Sequence, residues 1–240
     1  MYFEDVYDLL MDESVYEDWL SFFKLYFNSD ESLDILDVGC GSAQLTIQLA
    51  QAGFKITGLD RSEDMLTRAS FNQRESNTFF PLILADMTDL SDLGFYDGII
   101  SSLDSICYLE DQEDVKRVFN EAYGHLNEEG YFIFDVHSSY QMEELYPGYM
   151  YNYSEEDFSF MWTTYKGEDD YSVIHDMNLF TKVDKMYQKK ERIIKEKTYS
   201  LEDYHLMLKQ AGFAQANVYD NFGKSPIHEQ SPRWFFVCKK

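Results

Sequence analysis

Five short segments of the chain carry residues able to do chemistry. Asp37-Val38-Gly39-Cys40-Gly41 closes the apolar run LDILDV and stands directly before a helix-like segment. Two glycines at that spacing let a backbone approach a ligand closely, and the following helix offers free N–H groups. Asp60 follows in TGLD, about 20 residues beyond Gly39, where an acid accepts hydrogen bonds from ribose hydroxyls. Asp86 and Met87 in LADMTDL pair a carboxylate, which can accept from an exocyclic amine, with a thioether that packs on a ring. Leu103 and Asp104 sit in SSLDSICYL, and His137 follows FDV. Asp104 and the imidazole of His137 are the candidate general bases. Plainer roles exist for the same residues: Asp86 capping a turn, His137 bonded to a loop carbonyl. Taken together they suit an adenosine-bearing ligand, either a nicotinamide dinucleotide or S-adenosylmethionine. The dinucleotide fingerprint G-x-G-x-x-G wants a third glycine where this chain has Gln44.

The elements needed to position these residues are legible in the hydrophobic pattern. LDILDV, KITGLD, FFPLILADM, YDGIISSL and GYFIFDV are strands that are apolar on both faces, as buried parallel strands are. Helices fall over 42–52, from Ser62 onward and over about 111–126. After Val136 the rhythm changes. DFSFMWTTYK, DYSVIHDMNLFTKV and KMYQKKERIIKEKTYS read as strands of an antiparallel sheet, with Val173, His175, Met177 and Leu179 on one face. A helix follows, with Ser200 at its start and Gly212 at its end, then two antiparallel strands, QANVYD and RWFFVCKK. The expected architecture is α/β: an open, mostly parallel, Rossmann-like seven-stranded sheet with flanking helices, plus a small inserted antiparallel β subdomain. The domain limits are 1–137 with 200–240 for the α/β part, and 138–199 for the insert.

Two helices are expected before the first strand. One places Phe3, Val6, Tyr7, Leu10 and Met11 on one face; the other is opened by Ser14 with Glu17 at capping-box spacing. Tyr7 and Tyr16 are placed to close over a ligand or simply to pack. Phe158, Phe160, Trp162 and Tyr165 of the insert would form a lid, an acceptor pocket or a homodimer surface. His125, His175, His205 and His228 are read as structural, and Arg233 as paired with an acid. Cys40, Cys107 and Cys238 fit no zinc or disulfide pattern, and no metal is expected. A net charge of −24 argues against nucleic-acid partners, and the basic stretch KKERIIKEK reads as a solvated strand face. No apolar run reaches the roughly 20 residues of a membrane span, and the acidic N-terminus lacks a signal-peptide pattern, so a cytoplasmic location is expected.

The motifs ILDVGCGSAQL, GLDRSEDML, LADMTDL, YDGIISSLDSICYL and GYFIFDV, in this order, resemble those of the class I S-adenosylmethionine-dependent methyltransferases. The family's G-C-G-T-G reads Gly39-Cys40-Gly41-Ser42-Ala43 here. VYDLLMDESVYEDW, FDVHS and AGF are similar to segments of the bacterial YqeM-like subgroup. The resemblance implies a donor whose methionine part meets the Gly39–Gly41 turn, with Asp37 near its ammonium. Asp60 would hold the ribose, Arg61 and Met65 would flank the adenosine, and Asp86 and Met87 the adenine. Leu103 and Asp104 would lie close to the sulfonium and to a small-molecule acceptor. An NAD-dependent oxidoreductase and a non-catalytic adenosine-binding protein are the competing readings.

Overall fold

The computed structural model describes Phe3, Val6, residues 13–28 and residues 32–240. Tyr7, Leu10 and Met11 lie outside the described residues. Helix α1 (Glu13–Phe23) precedes strand β1 (Asp34–Val38), α2 (Gln44–Gln51), β2 (Lys55–Asp60), α3 (Glu63–Glu75), β3 (Leu82–Leu84) and β4 (Tyr96–Ser101). Then come α4 (Gln112–His125) and β5 (Leu126–His137). Four strands follow, β6 (Met150–Ser154), β7 (Phe158–Lys166), β8 (Ser172–Val183) and β9 (Met186–Lys197). The chain closes with α5 (Leu201–Ala211), β10 (Gln215–Asp220), the two-residue β11 (Ser225–Pro226) and β12 (Arg233–Lys239). Ser14 lies inside α1 rather than capping it.

The central sheet has the order β11-β10-β12-β5-β4-β1-β2-β3. Strands β3, β2, β1, β4 and β5 are parallel, and β12 runs antiparallel to both β5 and β10. The seven expected strands are all present. The segment expected to be only a turn adds β11 as a short eighth edge.

Neighbouring residues on each central strand point into different cores, which is why these strands read as unbroken apolar runs. Ile35, Ile100, Ile133 and Phe235 pack with Trp19, Phe22, Phe23 and Leu49 of α1 and α2. Leu36, Ile99, Phe132 and Phe236 pack with Phe119, Tyr204 and Leu208 of α4 and α5. Local signals set the helix ends. Ser62, Asp111 and Ser200 each accept a hydrogen bond from a first-turn N–H, and Gly212 ends α5 at φ 117°.

The second sheet is a plain antiparallel meander, β6-β7-β8-β9. Its period-two pattern turns Tyr151, Phe160, Trp162, Thr164, His175, Met177, Arg192, Ile194 and Glu196 to one face, as the pairing register requires. Phe158, Phe160 and Leu179 also pack with Phe3 and Val6. Tyr165 is odd in that alternation and half exposed on the other face, so it does not join Phe158, Phe160 and Trp162. The basic stretch is likewise two-faced. Lys189, Glu191, Ile193 and Lys195 are exposed, whereas Glu196 is buried.

Candidate active site

The carboxyl ends of β1, β2 and β4 and the inner face of the second sheet enclose one cavity of about 710 Å³. Its first wall is the glycine turn. Gly39 and Gly41 have φ of +80° and +55°, values that L side chains rarely adopt. A Cβ on Gly39 would lie 2.8 Å from Ser105 Cβ, while one on Gly41 would meet nothing within 4 Å and project into open space. Asp60 fixes this turn: Oδ2 accepts from Gly41 N at 2.8 Å, and Oδ1 from Ser62 N at 2.8 Å. Helix α2 follows Ala43 with no side-chain cap and no acid in its first turn, an arrangement suited to an anionic group.

The structure brings Gly39, Cys40, Gly41, Asp60, Arg61, Met65, Asp86, Met87, Leu103 and Asp104 to the cavity wall. Asp86 also caps its turn, as Oδ1 accepts from Thr88 N at 2.9 Å and Thr88 Oγ1 at 2.8 Å. Tyr16 lines the cavity too. Asp37 does not line it. Its carboxyl is buried beneath the turn, bonded through Oδ2 to Thr46 Oγ1 at 2.5 Å, and Oδ1 has no hydrogen-bond partner. Burial pushes this carboxyl up to about 7, against the Thr46 bond and with help from the charge of Asp60. An orphaned buried oxygen below the turn, open space above Gly41 and an uncapped helix fit the amino-acid end of S-adenosylmethionine.

Leu103 and Asp104 form the second wall, both left-handed, with φ of 56° and 55°. Two successive non-glycine residues in this region store strain at the site. Asp104 N donates to Asp135 Oδ1 at 3.2 Å, and Arg233 Nη2 sits 2.7 Å from Asp104 Oδ1 and also pairs with Asp135. Burial pushes the Asp104 carboxyl up, but His137 and Arg233 more than offset this and hold it below the usual carboxylate range. Asp104 is thus a firmly ionised partner of Arg233 and a weak proton acceptor. Arg233 takes the structural pairing expected of it.

His137 lies behind the wall, not in it. Its Nε2 is 3.0 Å from Tyr146 Oη, 3.4 Å from Asp104 Oδ2 and 3.6 Å from Glu196 Oε2. It reaches the cavity only through these neighbours. Burial, then the charges of Glu196 and Asp104, push the Tyr146 phenol well above its ordinary value, so it keeps its proton. His175, expected to be structural, instead lines the cavity with Trp162, Tyr146 and Glu196. Nothing local singles out His175 or Glu196. The one usable signal was their even and odd positions on adjacent strands, which the register then aligns. Cys107 and Cys238 are buried thiols; burial pushes both up, in keeping with packing roles.

A glycine turn with an acid one strand away, on a sheet of this order, fits an S-adenosylmethionine-dependent methyltransferase. Comparison with known proteins agrees. Residues 29–191 match the family described as "Methyltransferase domain". A Bacillus subtilis (strain 168) protein, YqeM, described as a methyltransferase, is 34% identical over 99% of this chain and 96% of its own. A Geobacillus sp. (strain WCH70) protein described in the same way is 32% identical over 98% of this chain and 96% of its own. A solved S-adenosylmethionine-dependent methyltransferase from Clostridium acetobutylicum ATCC 824 superposes with a TM-score of 0.84 at 26% identity, covering 99% of this chain and 97% of that one. The chain belongs to this methyltransferase family. The dinucleotide oxidoreductase and the non-catalytic binder are set aside.

Proposed function

We propose that the protein methylates a small-molecule acceptor held between the strand ends and the inserted sheet. The carrying observation is a continuous cavity of about 710 Å³ with the glycine turn on one side and Trp162, His175 and Glu196 on the other. That is the size of a metabolite pocket, with room for a donor and a modest acceptor. A charge of −24 disfavours polynucleotide acceptors. In this reading residues 1–137 and 200–240 hold the donor, residues 138–199 cover the acceptor, and the enzyme works in the cytoplasm; among the described residues no helix is long and apolar enough to cross a membrane.

When bound, S-adenosylmethionine supplies an already activated methyl group. The chain's own task is to orient and to exclude water. Asp60 and the Gly39–Gly41 turn fix the donor end, Leu103 and Asp104 stand between the two halves, and Tyr16, Phe160 and Trp162 wall the space off. The test is incubation with methyl-labelled S-adenosylmethionine and a bacterial lysate split by ultrafiltration into metabolites and macromolecules. Label is expected in the metabolite fraction, and its transfer is lost in Asp60→Ala. Label in protein or RNA alone would overturn the small-molecule reading.

A further inference from the structure

We infer that the acceptor carries a basic amine, seated as its ammonium form on Glu196. The inference rests on the methyltransferase reading and deepens it. Glu196 is 5% exposed, lines the cavity, and its Oε2 has no hydrogen-bond partner. A buried carboxylate oxygen left in this state is costly unless a ligand completes it.

The neighbours determine what that ligand is. Trp162 Nε1, which can only donate, lies 3.0 Å from His175 Nδ1, and Thr164 Oγ1 lies 2.9 Å from the same nitrogen. His175 Nδ1 is therefore an acceptor, the ring is neutral, and its proton sits on Nε2. That nitrogen lies 3.3 Å from Glu196 Oε1 without forming a hydrogen bond to it. His175 brings no charge to offset Glu196. Arg233 is taken by Asp104 and Asp135. Arg192 shares the inner face of β9 but is four residues away, roughly 13 Å along a strand, and its guanidinium stacks over Phe3 at 4.6 Å. Asp104 and Asp135 share Arg233, and burial pushes the Asp135 carboxyl up. The cation nearest Glu196 Oε2 is His137 Nε2, 3.6 Å away and beyond hydrogen-bond reach, so Glu196 has no committed partner and a ligand's positive charge belongs beside it.

An ammonium supplies it better than a metal ion. Asp104, His137 and Glu196 offer ligand atoms within 4.8 Å of one another. Asp104 is already held by Arg233, however, and His137 Nε2 is engaged by the Tyr146 hydroxyl at 3.0 Å. Tyr146, Tyr149 and Trp162 line the same cavity as Glu196, and aromatic rings favour an organic cation.

The probes are cyclohexylammonium and its neutral isostere cyclohexanol, titrated by NMR into the protein loaded with S-adenosylhomocysteine. The ammonium is expected to bind roughly tenfold more tightly, a preference lost in Glu196→Gln and kept in Glu196→Asp. Unchanged S-adenosylhomocysteine affinity in both variants shows that each is folded. Equal binding of the two probes, or a preference that survives Glu196→Gln, would overturn the assignment of Glu196. Failure of the wild type to bind S-adenosylhomocysteine would instead overturn the methyltransferase reading itself.

Discussion

The two walls of the cavity are built on different principles. The donor side rests on short-range bonds: Ser62 to Met65, Asp60 to Ser62, Asp86 to Thr88. Neutral bonds also tie its turn to distant segments: Asn72 Nδ2 donates to the Ser42 carbonyl across 30 residues, and Ser105 Oγ to the Gly39 carbonyl across 66. The acceptor side is a buried network of charged groups from distant segments. Arg233 reaches Asp135 across 98 residues, and Thr198 Oγ1 donates to the His137 carbonyl across 61. In the proposed reading the donor is held mostly by turn geometry built from near neighbours in sequence. The proposed acceptor side is assembled from charged residues that only the finished fold brings together.

The sharpest way to break this contrast is Arg233→Met. It leaves Asp104 and Asp135 buried without their guanidinium, so stability to denaturant should fall by about 3–5 kcal/mol. A loss under about 1 kcal/mol, no more than a helix cap is worth, would remove the distinction between the two walls.

Asp37 tests the donor side by its pH response. The free side chain titrates at 3.8 and the folded one at about 7, so the folded chain binds more protons within that window. Stability from this group is therefore fully present below the lower value and is lost as pH rises toward the upper one, at up to about 1.36 kcal/mol per unit. Asp37→Asn should flatten the difference curve in thermal denaturation between those limits. A wild-type slope unchanged by the substitution would place another group behind it.

The smallest effect sharpens the local character of the donor wall. Ser62→Ala removes the cap of α3 and should cost about 1 kcal/mol, with little change at the Glu196 cluster, whose probe binding serves as the readout. A larger loss, or one that spreads to the cluster, would mean the two walls are coupled.

The succession of strands and the residues at their carboxyl ends were legible because their signals are local. Apolar runs ending in glycine or aspartate mark strand ends, and those ends are where an open α/β sheet binds ligands. Ser62, Ser200 and Gly212 announce their helix ends by residue type alone. His137 was readable as a strand-end imidazole but not as one screened from the cavity, because the screen, Tyr146 and Glu196, lies on elements whose packing no short window contains. The same holds for Tyr165, where the strand was legible and the face was not.

What the sequence determined by itself is the alternation of strands and helices, the left-handed glycine turn and the acid at the end of β2, since each follows from conformational preference and hydrophobic period within a few residues. Only the tertiary structure decided which acids share a guanidinium, which histidine faces the cavity and that Glu196 is buried with one oxygen unmet. Those outcomes depend on strand register and on the seating of one sheet against another, where a shift of one residue would exchange the buried face for the exposed one.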